Sequence, residues 1–310
     1  MPQITNTILM IRPVNFRMNE QTMVNNFYQK ELLDFTQKEV QNKALKEFDA
    51  LVEKLRVVGV NVIVVEDTNI PDTPDSIFPN NWISFHQNST VALYPMFAEN
   101  RRLERREDIL DIIEEKGFVI KNVIDYTSAE EANIFLEGTG SLVLDRNNRK
   151  AYCALSPRAD EELFIEFCED FEYTPVMFHA YQTVGNKREL IYHTNVMMSL
   201  FENCAIICLD AIDDKKERKN IINHLKADGK EIITITEEQV NQFAGNVLQV
   251  LGEKDKRYIV MSETAFNVLT SEQTQKLEKE SQILYSKIAT IESAGGGSVR
   301  CMMGEVFLLN

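Results

Sequence analysis

The chain has 310 residues, 33 basic and 48 acidic, a formal charge of −15 at pH 7, and is 44% hydrophobic and 26% charged. These proportions belong to a globular protein and exclude disordered, collagenous and low-complexity classes. The acidic balance argues against nucleic acid and against an anionic membrane surface as partner, because both need a basic face.

Taken in order, short β-rich runs alternate with amphipathic stretches, the pattern of an α/β protein. ILMIRPV (8–14) is expected as a strand, 37–57 as a helix and NVIVVE (61–66) as a strand. WISF and TVALY (82–94) give two strands. A helix over 101–116 (RRLERREDILDIIEEK) follows, with Gly117 where a C-cap belongs, and then strand FVIKNV (118–123). SLVL and AYCAL (141–155) precede a helix near 158–170 and strand YTPVMF (173–178). VMMSL and AIICL (196–209) precede a helix near 214–227 and strand EIITIT (231–236). NVLQV and YIVMS (246–262) precede a helix near 271–280 and strand QILYS (282–286), and SVRCMM and EVFLL (298–309) supply the last strands. Segments 15–36 and 179–190 lack periodicity and read as loops. No run approaches the roughly 18–20 apolar residues of a membrane span.

Laid side by side, these elements repeat as strand, strand, helix, strand, with units opening near 82, 141, 196 and 246. A fifth unit is completed only by joining the two ends. Each unit is too small to bury its own apolar face, so neighbours must pack on one another. No Pro/Gly/Ser-rich linker divides the chain. The expected architecture is one domain, 1–310, of five ββαβ units in a ring of pseudo-fivefold symmetry, closed by the N- and C-terminal strands.

Unusual polar residues gather where units open: Asp75 to Trp82, Glu137-Gly-Thr-Gly140, His193-Thr-Asn195, Gly245-Asn246 and Gly295-Gly-Gly-Ser-Val-Arg300-Cys301. In a ring, equivalent positions converge on one site. The chemistry of such a set is nucleophilic: imidazolium beside a Cys favours thiolate, and a carboxylate such as Glu137 orients the His or shuttles protons. Cys153, Cys168, Cys204 and Cys208 read as small core residues, with the last two on one strand face. His86, His179 and His224 read as loop or surface residues. No tight Cys/His spacing suggests zinc, and Gly138-Thr-Gly140 lacks the Lys–Ser/Thr ending of a phosphate loop, so neither metal nor cofactor is expected. The opening residues lack a basic stretch followed by a long apolar one, and the cysteines are odd in number. Both suit free thiols in a cytoplasmic protein.

The segments FPNN (78–81), YPMFAENRR (94–102), LEGTG (136–140), ALSPR (154–158), HTN (193–195) and GGGSVRC (295–301) resemble the pentein, or guanidino-group-modifying, superfamily over about residues 8–308. That superfamily includes arginine deiminases, dimethylarginine dimethylaminohydrolases and amidinotransferases. The chain looks most similar to bacterial amidinotransferase-like and citrulline-utilisation hydrolases. The resemblance implies a five-bladed α/β propeller that acts without cofactor. It implies Cys301 as nucleophile, His193 as general acid/base and Glu137 as the carboxylate of the family's Glu-Gly-Gly-Asp motif, here without its final Asp. Arg101 and Arg158 match positions that hold a substrate α-carboxylate in arginine deiminases; the bland alternative is an ordinary surface ion pair. Asp75 is expected to meet the α-amino group, and Asn80 to belong to the same substrate-binding set. Where arginine deiminases carry two guanidinium-binding aspartates, this chain has Asn81 and Asn195. An amide donates to C=O and accepts from N–H, so the implied head group is a neutral ureido, and the implied substrate L-citrulline. The rival readings are a guanidino hydrolase, an amidinotransferase and a non-catalytic pentein binding module. The partner in all the enzyme readings is a small amino acid, and a homo-oligomer is left open.

Overall fold

The computed structural model describes residues 2–310. Five three-stranded sheets share one plan, in which the middle strand runs antiparallel to the first and parallel to the third. In chain order their strands are Ile83–His86, Thr90–Leu93 and Asn122–Asp125, then Leu142–Asp145, Lys150–Ala154 and Thr174–Phe178. Met198–Leu200, Cys204–Ile207 and Glu231–Thr234 follow, then Leu248–Leu251, Arg257–Ser262 and Gln282–Ser286. The remaining sheet joins the two ends of the chain: Gly304–Glu305 pairs with Thr7–Arg12 (Ile8 opposite Glu305), which pairs with Asn61–Glu66. A separate hairpin, Tyr181–Val184 with Lys187–Leu190, occupies part of the segment expected to be a loop.

The parallel step in each sheet needs a crossover, and the chain supplies helices there. Gln37–Val57 starts at Thr36, whose hydroxyl caps Glu39 N–H while Glu39 reciprocates, and it buries Val40, Ala44, Phe48, Leu51, Val52 and Leu55. Glu161–Asp170 is capped by Asp160, and Lys215–Ala227 by Asp214. Among the described residues no helix is long and apolar enough to cross a membrane.

Three expectations need correction. The helix over 101–116 is broken into Glu99–Arg102 and Asp108–Glu115. Residues 103–107 between them set Glu104 on Arg101 and Arg105 on Glu130 and Tyr94 O, so side chains take the place of a continuing helix there. The following strand is Asn122–Asp125 rather than 118–123, because Val119 N–H is drawn off to Leu309 O. SVRCMM is not a strand: Cys301, Met302 and Met303 N–H donate to Ser298, Val299 and Arg300 O in successive tight turns.

All five cysteines are free and buried. Cys204 lies in its strand and Cys208 just beyond it. His86 is neither loop nor surface. It is buried in the strand Ile83–His86, with Nε2 2.7 Å from Ser84 Oγ and its ring stacked on Phe171 at 4.0 Å. His179 is half-exposed against Glu217, and His224 lies in the helix Lys215–Ala227.

Phe167, fully buried, packs among His86, Tyr94, Tyr126, Phe171 and Tyr173, with centroids 4.8–6.4 Å away. Phe167→Ala is expected to cost about 3–5 kcal/mol through lost burial and a residual cavity, read as a lower urea midpoint at unchanged slope.

Candidate active site

The short turns that open the sheets meet in the interior. Pro79–Asn81, Gly138–Ser141 and Thr194–Met197 precede the strands at 83, 142 and 198. A line of hydrogen bonds runs through them. Thr139 Oγ1 donates to Asn80 O at 3.3 Å, Asn195 Nδ2 to Thr139 O at 3.2 Å, Asn246 Nδ2 to Asn195 O at 3.0 Å, and Arg300 N–H to Asn246 Oδ1 at 3.2 Å. One residue from each of the five unit openings takes part. The expected convergence is therefore observed.

Cys301, His193, Asn81, Asp75, Arg101 and Arg158 line one narrow cleft. Glu137 is fully buried beside it, its Oε2 2.7 Å from His193 Nε2 and its Oε1 accepting from Phe97 N–H at 2.9 Å. Burial alone would raise the Glu137 carboxyl, but Arg158, His193 and Arg101 together hold it well below the usual carboxylate range. An ionised Glu137 can only accept, so Nε2 carries the ring proton and donates it as a hydrogen bond to Oε2, which leaves Nδ1 as the basic nitrogen of the ring. Burial pushes His193 down to about 4 against the pull of Glu137, with Arg158 and Arg101 adding to the depression, so the imidazole is neutral at pH 7.

Nδ1 lies on the side of Gly140. A Cβ at Gly140 would sit 2.7 Å from Nδ1 and 2.4 Å from Asn81 Nδ2, so only glycine lets imidazole and amide stand side by side. Gly138, at φ +44, likewise leaves room for Asn80 O and Asn81 O.

Asn81 Oδ1 accepts from Arg101 Nη1 at 2.8 Å, while its Nδ2 is buried without a partner. Asp75 accepts from Asn19 Nδ2 (2.8 Å) and Thr22 Oγ1 (3.2 Å) through Oδ2, and its Oδ1 has no partner. Burial raises the Asp75 carboxyl, opposed mainly by Arg101.

Four expectations are altered by this geometry. Arg101 is neither a surface residue nor free to clamp a carboxylate, for Nε and Nη2 grip Glu104 at 2.9 Å each, further hydrogen bonds go to Asn81 and Phe78 O, and the Asp75 and Glu137 carboxylates lie 3.9 and 4.0 Å away. Asn195 does not line the cleft but lies behind it against Cys301, with Nδ2 3.5 Å from Sγ. Asn80 is fully buried outside the cleft lining, and its amide has no polar partner. Arg158 lines the cleft, but Asn25 Oδ1 and Thr22 O hold its Nε and Nη2, and Nη1 lies 3.5 Å from Glu137.

Other residues escaped the sequence reading. Glu104 escaped because its acidic side chain reads as part of an exposed helical face. Asn19, Thr22, Asn25 and Asn26 lie in an aperiodic segment, yet they reach Asp75, Arg158 and Gly295 O. The density of Asn and Thr there was the available signal. Among the described residues, no three His, Cys, Asp or Glu are grouped to hold a metal ion.

Set beside known proteins, the chain is a member of the pentein superfamily of guanidino-group-modifying enzymes. Residues 12–308 match the family described as N,N dimethylarginine dimethylhydrolase, eukaryotic, and the chain belongs to that family of hydrolases. Among solved structures it is similar to apo ArgZ, an arginine dihydrolase from the ornithine-ammonia cycle in cyanobacteria. The match has a TM-score of 0.73 and 17% identity, covering 98% of this chain and 41% of ArgZ. The chain thus spans about two-fifths of that relative. The substrate-bound N-terminal domain of ArgZ matches with a TM-score of 0.72 and 17% identity, over 97% of this chain and 99% of that one. A dimethylarginine dimethylaminohydrolase carrying an S-methyl-L-thiocitrulline adduct matches with a TM-score of 0.63 and 14% identity, over 97% and 99%. A search of curated proteins gives no match.

Two outcomes are expected. Gly140→Ala forces Asn81 and His193 apart and should lower turnover at least a hundredfold, with secondary structure by circular dichroism unchanged. For pH, His193 is held neutral in the folded chain, whereas the unfolded chain takes up its proton near pH 6.5. The stability tied to it is therefore present above that pH and lost as pH falls toward 4, by about 3 kcal/mol. Urea titrations between pH 7 and 4 should show this loss, and His193→Gln should flatten it.

Proposed function

We propose that the chain is a cysteine-dependent hydrolase of the ureido C–N bond of an arginine-like amino acid, with L-citrulline the first choice of substrate. The observation that carries this reading is the fixed amide of Asn81. Its oxygen is taken by Arg101, so what it turns toward the reacting group is an unpartnered N–H. A ureido group offers C=O to that donor; a guanidinium offers only further N–H groups.

In this reading Cys301 Sγ attacks the ureido carbon as its proton passes to His193 Nδ1. The tetrahedral intermediate collapses when that proton is delivered to the departing δ-nitrogen, releasing ornithine and leaving S-carbamoyl-Cys301. His193 then takes a proton from water, which attacks the carbamoyl carbon. The proton returns to sulfur, and the carbamic acid released decomposes to carbon dioxide and ammonia. Glu137 fixes the ring tautomer and stabilises the imidazolium formed in both halves. Asp75 Oδ1 is suited to an α-ammonium. Arg158 remains the candidate for the α-carboxylate once its contacts to Asn25 and Thr22 are exchanged. Asn80 acts only through its backbone, and Arg101 acts by setting Asn81. We read the whole chain as one catalytic unit, its five sheets being the blades of a closed five-bladed propeller; the hydrogen-bond line through all five unit openings supports this.

A guanidino substrate is the second reading. Asp75 offers an unpartnered buried carboxylate oxygen, and ArgZ is an arginine dihydrolase. Purified protein given citrulline, arginine, agmatine and methylated arginines, with amino-acid and ammonia analysis of the products, separates the two. Ornithine from citrulline is expected; turnover of a guanidino compound alone would sink the ureido reading. Added acceptor amines that become guanidino products would instead identify a transferase. Asn81→Asp is expected to cut citrulline turnover at least a hundredfold, because a carboxylate held by Arg101 then faces the substrate C=O.

A further inference from the structure

We propose that Asn246 is a catalytic residue: with Asn195 it forms a two-amide cradle whose N–H groups hold the Cys301 sulfur as the attacking thiolate. Asn246 Nδ2 lies 3.2 Å from Sγ; Asn195 presents Nδ2 at 3.5 Å and also Oδ1 at 3.8 Å, an acceptor for the resting S–H, so Asn246 is the donor whose only end toward sulfur is N–H. The orientation of each amide is fixed by groups with no choice of role. Arg300 N–H can only donate, so the end of Asn246 it meets must be oxygen; Asn195 O can only accept, so the other end must be nitrogen. Thr139 O fixes the nitrogen end of Asn195 in the same way. Both donors are therefore presented to sulfur by backbone partners from neighbouring units.

The cradle answers a need created by the rest of the site. The titratable and charged groups facing the sulfur across the cleft are His193, Tyr192, Asp75, Arg101 and Arg158. Both guanidinium groups are turned to protein partners, and His193 is committed to Glu137. A resting imidazolium cannot stabilise a thiolate when the imidazole is neutral. Hydrogen bonds from fixed amides do so without a counter-charge, and a bond to an ionised acceptor is stronger than one to a neutral acceptor.

This inference rests on the proposed role of Cys301 as nucleophile but not on the substrate, so its test reads the sulfur directly. The rate of Cys301 alkylation by iodoacetamide is followed from pH 5 to 10 in the full chain, with mass spectrometry confirming the site and melting curves confirming the fold. Asn246→Asp keeps the size and the acceptor for Arg300 N–H but replaces the donor with an anionic oxygen. It is expected to slow alkylation at pH 7 at least tenfold, with the rate recovering toward wild type at high pH. Asn246→Ser, which keeps a small donor, is expected to lie between the two and serves if the Asp variant does not fold. A folded variant whose alkylation follows the wild-type pH profile would overturn the cradle. Wild-type alkylation without turnover of any ureide or guanidine would overturn the proposed function and leave the cradle standing.

Discussion

Everything at the site depends on the line of hydrogen bonds from Asn80 through Thr139, Asn195 and Asn246 to Arg300. Each bond spans two unit openings that are some fifty residues or more apart in the chain. Buried polar groups must find partners or pay a desolvation cost of about 1–3 kcal/mol each. The openings satisfy that demand through one another. The result is a rigid polar seam inside an apolar protein, and Cys301 follows directly on its last member.

Charge is handled by the same economy. Arg101, Glu104, Glu137, Arg158 and His193 are all almost completely buried, an arrangement tolerated only when each ion is paired and hydrogen-bonded. Arg101 grips Glu104 and lies within ion-pair distance of Asp75 and Glu137, and Glu137 is shared in turn with Arg158 and His193, so the charges form one connected group. Asp75 is the member with an oxygen left over, and Asn81 the one with an N–H left over. An acceptor and a donor without partners, in a cleft otherwise saturated, define what a bound molecule must supply.

Much of this was legible from residues. The helix Gln37–Val57 and the strands Asn61–Glu66 and Gln282–Ser286 were found at their full extent, because capping residues and apolar spacing agree with burial there. That Cys301, His193 and Glu137 come together was legible because polar residues recur where units open. Arg101 was legible as a site residue but not in its role, since its partner Glu104 lies only three residues on and reads as the next turn of an exposed helix. The turn at Cys301 looked like a strand because Val299, Met302 and Met303 are apolar; burial against the helices Gln37–Val57 and Ala289–Gly295, not sheet pairing, explains them. Segment 15–36 has no period to read. Its value lies in Asn and Thr side chains reaching groups remote in sequence, which no local pattern reveals.

The pairing of Gly304–Glu305 with Thr7–Arg12 sets an order on how the protein is made. As the chain emerges from the ribosome, the strand Thr7–Arg12 can pair with Asn61–Glu66 early, yet its other edge waits through more than two hundred further residues. Cys301 lies just before the residues that fill that edge. A nascent chain therefore holds His193 and Glu137 long before it holds Cys301, so the cleft is completed only as this sheet is completed.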